Sequence, residues 1–176
     1  MTKVIHDALG IKKAALTTIH AFTDDQNLQD GSHKEDLRRA RAASMNMVPT
    51  STGAAKAVTH VITDLKGKFD GIAIRVPVVT GSISDLTFVV NRPTTKDEVN
   101  HLFKDAAETD HWRGLIGWTE EPVVSSDIIG RTESVIVDLS LTQVIDGDLI
   151  KIFAWYDNEW GYSNRLIEQA IAVAKT

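Results

Sequence analysis

Two runs in close succession decide the fold class: Phe69-Asp70-Gly71-Ile72-Ala73-Ile74-Arg75-Val76-Pro77-Val78 and, after Val79-Thr80-Gly81, Ser82-Ile83-Ser84-Asp85-Leu86-Thr87-Phe88-Val89-Val90-Asn91. Both alternate with period two. Ile72, Ile74 and Val76 point one way and Ala73 and Arg75 the other, while Leu86, Phe88 and Val90 share a face of the second run. Such alternation marks strands with two different faces. No helical segment stands between the two runs. The chain therefore contains consecutive strands rather than a strict strand–helix alternation.

Working outward, Thr2–Leu9 reads as a short helix stopped by Gly10, and Lys13–Ile19 as a strand ending in Thr17-Thr18-Ile19. The polar segment Phe22–Asn46 lacks clear periodicity, which at this length marks a functional loop or a disordered one. Thr50–Lys66 reads as a helix with Ala54, Val58, Val61, Ile62 and Leu65 on its apolar face, closed by Gly67. Thr95–Glu108 is a further helix. Thr95 and Glu98 have the spacing of a capping box, and Val99, Leu102, Phe103 and Ala106 form its buried stripe. Leu115–Thr119, Ser134–Leu139 and Leu149–Tyr156 are strand candidates. Gly161–Lys175 is a last helix with Leu166, Ile167, Ala170, Ile171 and Ala174 on one face. Strands cluster in the middle and towards the end. That order predicts an α+β fold, a mixed and largely antiparallel sheet with helices on one face.

The totals agree with one globular domain. The chain has 176 residues, 43% hydrophobic and 24% charged, with a net charge of −5. That charge argues against whole-surface attraction to nucleic acid, and no apolar run approaches a membrane span. With 0 cysteines there are no disulfides or thiolate metal sites. No histidines cluster at ligand spacing, so no metal is expected. The composition fits a cytoplasmic protein without nucleic-acid or membrane partners. No G-x-G-x-x-G turn is present, so no dinucleotide-binding half is visible.

Four places could carry chemistry. His20 sits where the strand Lys13–Ile19 gives way to a polar segment. An imidazole there can exchange protons near neutrality or lower the pKa of a neighbouring thiol; spacing alone favours a histidine that merely ends a strand. Thr50-Ser51-Thr52-Gly53 precedes a helix, where hydroxyls and free amides can hold an anion or simply cap. Arg75 is either a solvated edge charge or a fork for a phosphate. Asn158 and Tyr162 stand near the start of the last helix, where an asparagine can also cap.

The strings His20-Ala21-Phe22-Thr23-Asp24-Asp25-Gln26, Asp36-Leu37-Arg38-Arg39-Ala40-Arg41, Pro49-Thr50-Ser51-Thr52-Gly53-Ala54-Ala55-Lys56, Arg75-Val76-Pro77 and Trp155-Tyr156-Asp157-Asn158-Glu159-Trp160-Gly161-Tyr162 occur in this order. Together they resemble the catalytic domain of the phosphorylating glyceraldehyde-3-phosphate dehydrogenases over the whole chain, residues 1–176. The resemblance implies that His20 activates a cysteine thiol and assists hydride transfer. It implies that Thr23, Asp25, Arg39, Arg75, Thr52 and Gly53 sort the substrate phosphate and inorganic phosphate. It implies that Asn158 reads the nicotinamide carboxamide of NAD, with Tyr162 packed near the ring.

The family's nucleophile is a cysteine, and its chains begin with a dinucleotide-binding domain. This chain starts just after the place of the cysteine motif, so the expectation is an excised catalytic domain that is inert alone and binds no cofactor by itself. The alternative is a non-catalytic folding or oligomerisation scaffold. A related substrate, erythrose 4-phosphate, is a further possibility for the parent enzyme. Family enzymes are tetramers, which implies a homo-oligomer, dimer or tetramer, here.

Overall fold

The computed structural model describes residues 1–175. It contains four helices, α1 (Thr2–Leu9), α2 (Ala54–Val61), α3 (Lys96–Glu108) and α4 (Trp160–Ala174). Seven strands accompany them: β1 (Ile11–Ala21), β2 (Val48–Ser51), β3 (Phe69–Val76), β4 (Ser82–Val90), β5 (Ile116–Thr119), β6 (Val135–Ile145) and β7 (Leu149–Tyr156). They form one sheet in the order β2-β3-β1-β4-β7-β6-β5. β1 runs parallel to β3 and β5 to β6, and the other neighbours are antiparallel. The α+β expectation holds. The two runs that announced it, β3 and β4, are not direct neighbours, because β1 lies between them.

The core lies between the sheet and helices α1, α2 and α3. Leu16 of β1, Leu86 and Phe88 of β4, Ile150 and Ile152 of β7, and Val99 and Phe103 of α3 belong to a single buried cluster. Each such side chain removed from water contributes about 1.5–3 kcal/mol, which fixes the register of every central strand. On β3 the core face belongs to Phe69 and Ala73; Ile72 remains half exposed on the opposite face of the sheet. The apolar run Ile72-Ile74-Val76 therefore lines the open face. The three buried positions Val99, Phe103 and Ala106 of α3 match the stripe read from the sequence, with Leu102 partly buried beside them.

Several features differ from the sequence reading. The first strand runs over Ile11–Ala21 rather than Lys13–Ile19, so His20 lies within it. Thr50–Lys66 is not one helix. Thr50 and Ser51 pair with Ala73 and Ile72 as the end of edge strand β2, because Pro49 and β-branched Thr50 favour extended backbone. The helix stops at Val61, and a 3₁₀ turn over Thr63–Leu65 brings Leu65 into the core. Val61, assigned to the apolar face, is 80% exposed. Strand β6 continues to Ile145, beyond Leu139. The capping box at α3 is half formed. Thr95 accepts from the Glu98 backbone N–H at 3.2 Å, but the Glu98 carboxylate turns to Arg92 and Thr94.

The segment between β1 and β2 is irregular apart from a 3₁₀ turn over Ala43–Met45. Helix α4 is set apart from the core. Gly161 is its one buried residue, and Leu166, Ile167 and Ile171 are exposed along it.

Candidate functional site

Strand register gathers the site. His20 and Arg75 are partners at the C-terminal ends of the parallel pair β1 and β3. Ser82, the first residue of β4, pairs with Tyr156, the last of β7. Because β4 runs antiparallel to both β1 and β7, all four residues emerge at one end of the sheet. Asn158 follows Asp157 after the end of β7, where the chain turns into α4.

His20 is partly buried. Its Nδ1 lies 2.6 Å from the Ala21 carbonyl and 2.8 Å from Nη1 of Arg75. The same Nη1 donates to the Ala21 carbonyl at 3.1 Å. The Tyr156 ring meets the imidazole edge-on at 6.0 Å, and its hydroxyl is 2.7 Å from Thr18 Oγ1. Burial lowers the His20 pKa from its ordinary value, and the Arg75 charge adds to this against the Ala21 carbonyl. The imidazole is therefore neutral at physiological pH. Burial also lowers the pKa of Arg75, whose Nε is buried without a hydrogen-bond partner.

His20 opens onto a cleft of about 280 Å³ lined also by Ser134, Tyr156, Asn158, Tyr162 and Arg165. Asn158 Oδ1 accepts from the Gly81 N–H at 3.0 Å and from the Ser82 hydroxyl at 3.1 Å. With its oxygen satisfied from within, the carboxamide has two N–H donors to offer a ligand. Gly81 is required for this. It sits at φ +88°, and a Cβ there would come within 2.8 Å of the Ser125 carbonyl.

A second group surrounds Arg39. Its Nε donates to Thr50 Oγ1 at 2.7 Å and its Nη2 to Ser51 Oγ at 3.0 Å, while Nη1 pairs with Asp25 at 3.2 Å. Gln26, 3% exposed, ties Asp25 to Thr23. Its Oε1 accepts from the Thr23 N–H at 3.0 Å and its Nε2 donates to Asp25 at 2.9 Å. Thr52 Oγ1 accepts from the Ala54 N–H at 3.2 Å, and Gly53 precedes α2 with nothing within 4 Å of where its side chain would stand.

The structure thus joins His20 to Arg75 directly, Thr23 to Asp25 through Gln26, and Asp25 to Arg39 directly. Asn158 and Tyr162 share the His20 cleft. Among the described residues no hydrogen bond joins Thr52 or Gly53 to either arginine; the charges of Asp25 and Arg39 reach Arg75 only through space. Sequence reasoning missed Gln26, Ser82 and Asp157, all buried polar residues. Gln26 and Asp157 lie inside the quoted strings, and Ser82 ends the run Arg75–Ser82, which also resembles the family; its role depends on the β4–β7 register. Among the described residues no group of His, Asp or Glu could hold a metal ion, and no helix is long and apolar enough to cross a membrane.

A family model described as "Glyceraldehyde 3-phosphate dehydrogenase, C-terminal domain" matches residues 1–158. The chain is 53% identical over 176 residues to "Glyceraldehyde-3-phosphate dehydrogenase 1" of Streptomyces avermitilis, covering 100% of this chain and 52% of that protein. It is 54% identical over 176 residues to the glyceraldehyde-3-phosphate dehydrogenase of Mycobacterium tuberculosis, covering 100% of this chain and 51% of that one. Over 173 residues it is 54% identical to the Streptomyces coelicolor protein of the same name, covering 98% and 51%. The chain spans about half the length of the curated relatives it matches.

Proposed function

Because the chain belongs to the family of glyceraldehyde 3-phosphate dehydrogenase C-terminal domains, we propose that it is the catalytic half of a cytoplasmic, NAD-dependent, phosphorylating aldehyde dehydrogenase. On this reading it acts on glyceraldehyde 3-phosphate and inorganic phosphate. The observation that carries the reading is the meeting of His20 with Arg75 at one sheet end, beside a cleft in which Asn158 presents amide donors.

His20 is the proton-transfer group. A neutral imidazole can take a proton from a thiol and later stabilise charge on the reacting carbonyl. Arg75 and Arg39, with Thr23 and Asp25, bind the two phosphates; Thr52 and Gly53 add a hydroxyl and backbone amides at the start of α2. The Asn158 donors suit the carbonyl oxygen of a nicotinamide carboxamide, and Tyr162 flanks the same cleft. The dinucleotide, when bound, supplies the hydride acceptor. These 176 residues contain 0 cysteines, so the nucleophile has to come from another segment. Alone, the chain turns over no aldehyde and holds no dinucleotide firmly. The exposed apolar face of α4 supports self-association into a dimer or tetramer.

The test is complementation. The chain is mixed with a separately produced N-terminal half of one of its relatives that carries a cysteine, and NADH formation is followed with glyceraldehyde 3-phosphate, NAD and phosphate. Activity that is absent from either half alone and lost in His20→Ala is the expected result. Two folded halves without activity would overturn the reading in favour of a folding or oligomerisation scaffold. Faster turnover of erythrose 4-phosphate would move the substrate.

A further inference from the structure

His20 Nδ1 faces two partners that make opposite demands. The Ala21 carbonyl at 2.6 Å is an acceptor and asks Nδ1 to carry the proton. Nη1 of Arg75 at 2.8 Å is a donor and asks Nδ1 to be bare. A neutral imidazole has one protonated and one bare nitrogen, so Nδ1 satisfies only one of them at a time. We propose that Arg75 is an anion-operated tautomer switch on His20. With Arg75 against Nδ1, the proton sits on Nε2; when an oxyanion of the phosphoryl class draws the guanidinium away, Nδ1 donates to Ala21 and Nε2 becomes a bare acceptor.

The chemistry of the cleft makes the switch consequential. Nδ1 is tied to backbone and Arg75, so Nε2 is the nitrogen left to meet a reacting group. Protonated, Nε2 cannot take a proton from a thiol; bare, it can. Arg75 is free to answer an anion, because its guanidinium makes no carboxylate pair among the described residues and its Nε is buried without a partner. The other groups around His20 do not compete. Tyr156 of β7 approaches edge-on, Asp157 is committed to backbone amides, and Tyr162 and Arg165 of α4 line the far wall. Beyond Arg75, Asp25 and Arg39 add opposing charges. The inference rests on the phosphate-binding role proposed above for Arg75, and adds that the bound anion decides which nitrogen of His20 is basic.

The test uses the isolated chain, labelled with ¹⁵N. Two-bond ¹H–¹⁵N spectra at about pH 8, where His20 is neutral, distinguish the tautomers with and without inorganic phosphate against matched chloride. Backbone amides of Ala21, Gly53 and Val76 report anion binding independently. The expected result is Nε2–H without phosphate and Nδ1–H with it. A titration in sulfate, which stays dianionic, should raise the His20 midpoint by about one pH unit. Arg75→Gln should show Nδ1–H from the start and no response; Arg75→Met serves if the glutamine variant does not fold. Amide shifts with an unchanged tautomer would overturn the switch and leave the phosphate reading standing. Absence of any amide shift would overturn both. A full response in the Arg75 variants would also overturn it, since another group would then be the mediator.

Discussion

Asp157 holds the turn from β7 into α4 together. Its Oδ1 accepts from the backbone N–H groups of Glu159 at 2.9 Å and Trp160 at 2.8 Å, and its Oδ2 accepts from the Gly130 N–H at 2.9 Å. Burial alone would raise its pKa, but these amides outweigh it and hold the carboxyl below its ordinary value. Asp157→Asn keeps the shape and loses the charge. Hydrogen bonds to charged groups contribute about 1.5–3 kcal/mol, so this variant should unfold at a lower temperature, with a loss of about 2 kcal/mol at neutral pH. The sign of the pH effect follows from linkage. A depressed carboxyl contributes fully above its unfolded value near 3.8 and loses that contribution as pH falls through the folded value. Thermal unfolding of both proteins at neutral and strongly acid pH should show the gap closing in acid. His20 acts at milder pH in the same direction. The unfolded chain takes up its proton near 6.5 and the folded chain only lower, so stability declines from about that pH downward.

At the scale of elements, the two ends of α3 and α4 make separate predictions. Thr95→Ala removes the one side-chain cap of α3 and should cost about 1 kcal/mol in chemical denaturation. Glu98→Gln should cost less, because the Glu98 carboxylate serves only a surface pair with Arg92 and a bond to Thr94. On α4, Leu166→Glu with Ile171→Glu should leave far-UV dichroism and the unfolding temperature nearly unchanged, since both side chains are exposed. It should raise solubility and reduce self-association in sedimentation. A large fall in unfolding temperature would mean that α4 is packed against the domain after all. Elements with a strong period were legible in the sequence: α3 has its stripe in place, and β3, β4 and β7 begin where alternation begins. The region 50–66 was not, because Ala54, Val58, Ile62 and Leu65 keep helical spacing while the backbone passes from strand to helix to 3₁₀ turn. Tertiary pairing of Thr50 and Ser51 with β3 overrides the local pattern.

For the whole molecule, the prediction is assembly. Light scattering of the purified chain at micromolar concentration should give a dimer or tetramer, and a monomer would remove self-association from the proposed function. The site itself shows a limit of sequence reading at this scale. His20, Arg75 and Asn158 lie in three separate strings, and each alone has an ordinary structural explanation. What unites them is register: β1 beside β3, and β4 between β1 and β7, deliver their ends to one edge. Ser82 shows the same thing from the other side. The run that Ser82 ends resembles the family without assigning Ser82 a role, yet the Ser82 hydroxyl reaches both the Ala21 N–H at 3.4 Å and Asn158 Oδ1 at 3.1 Å. Such a contact between residues far apart in the chain exists only after the sheet has formed.

Helix α4 meets the rest of the chain over its first two turns, where Gly161 leaves only 3.0 Å between the place of a Cβ and the Glu133 carbonyl, where Arg165 donates to the Gly114 carbonyl and the Ser134 hydroxyl at 3.3 Å each, and where Asp157 fastens the preceding turn. Mechanically this is a lever with its fulcrum at the base. The part of the helix beyond Arg165, which ends at Ala174, gives at 1.5 Å of rise per residue an arm of about 14 Å, and Asn158 sits beside the pivot. A load on the free end would therefore arrive at Asn158 as a rotation of small amplitude and high leverage, and any bulk added at Gly161 would tilt the whole arm.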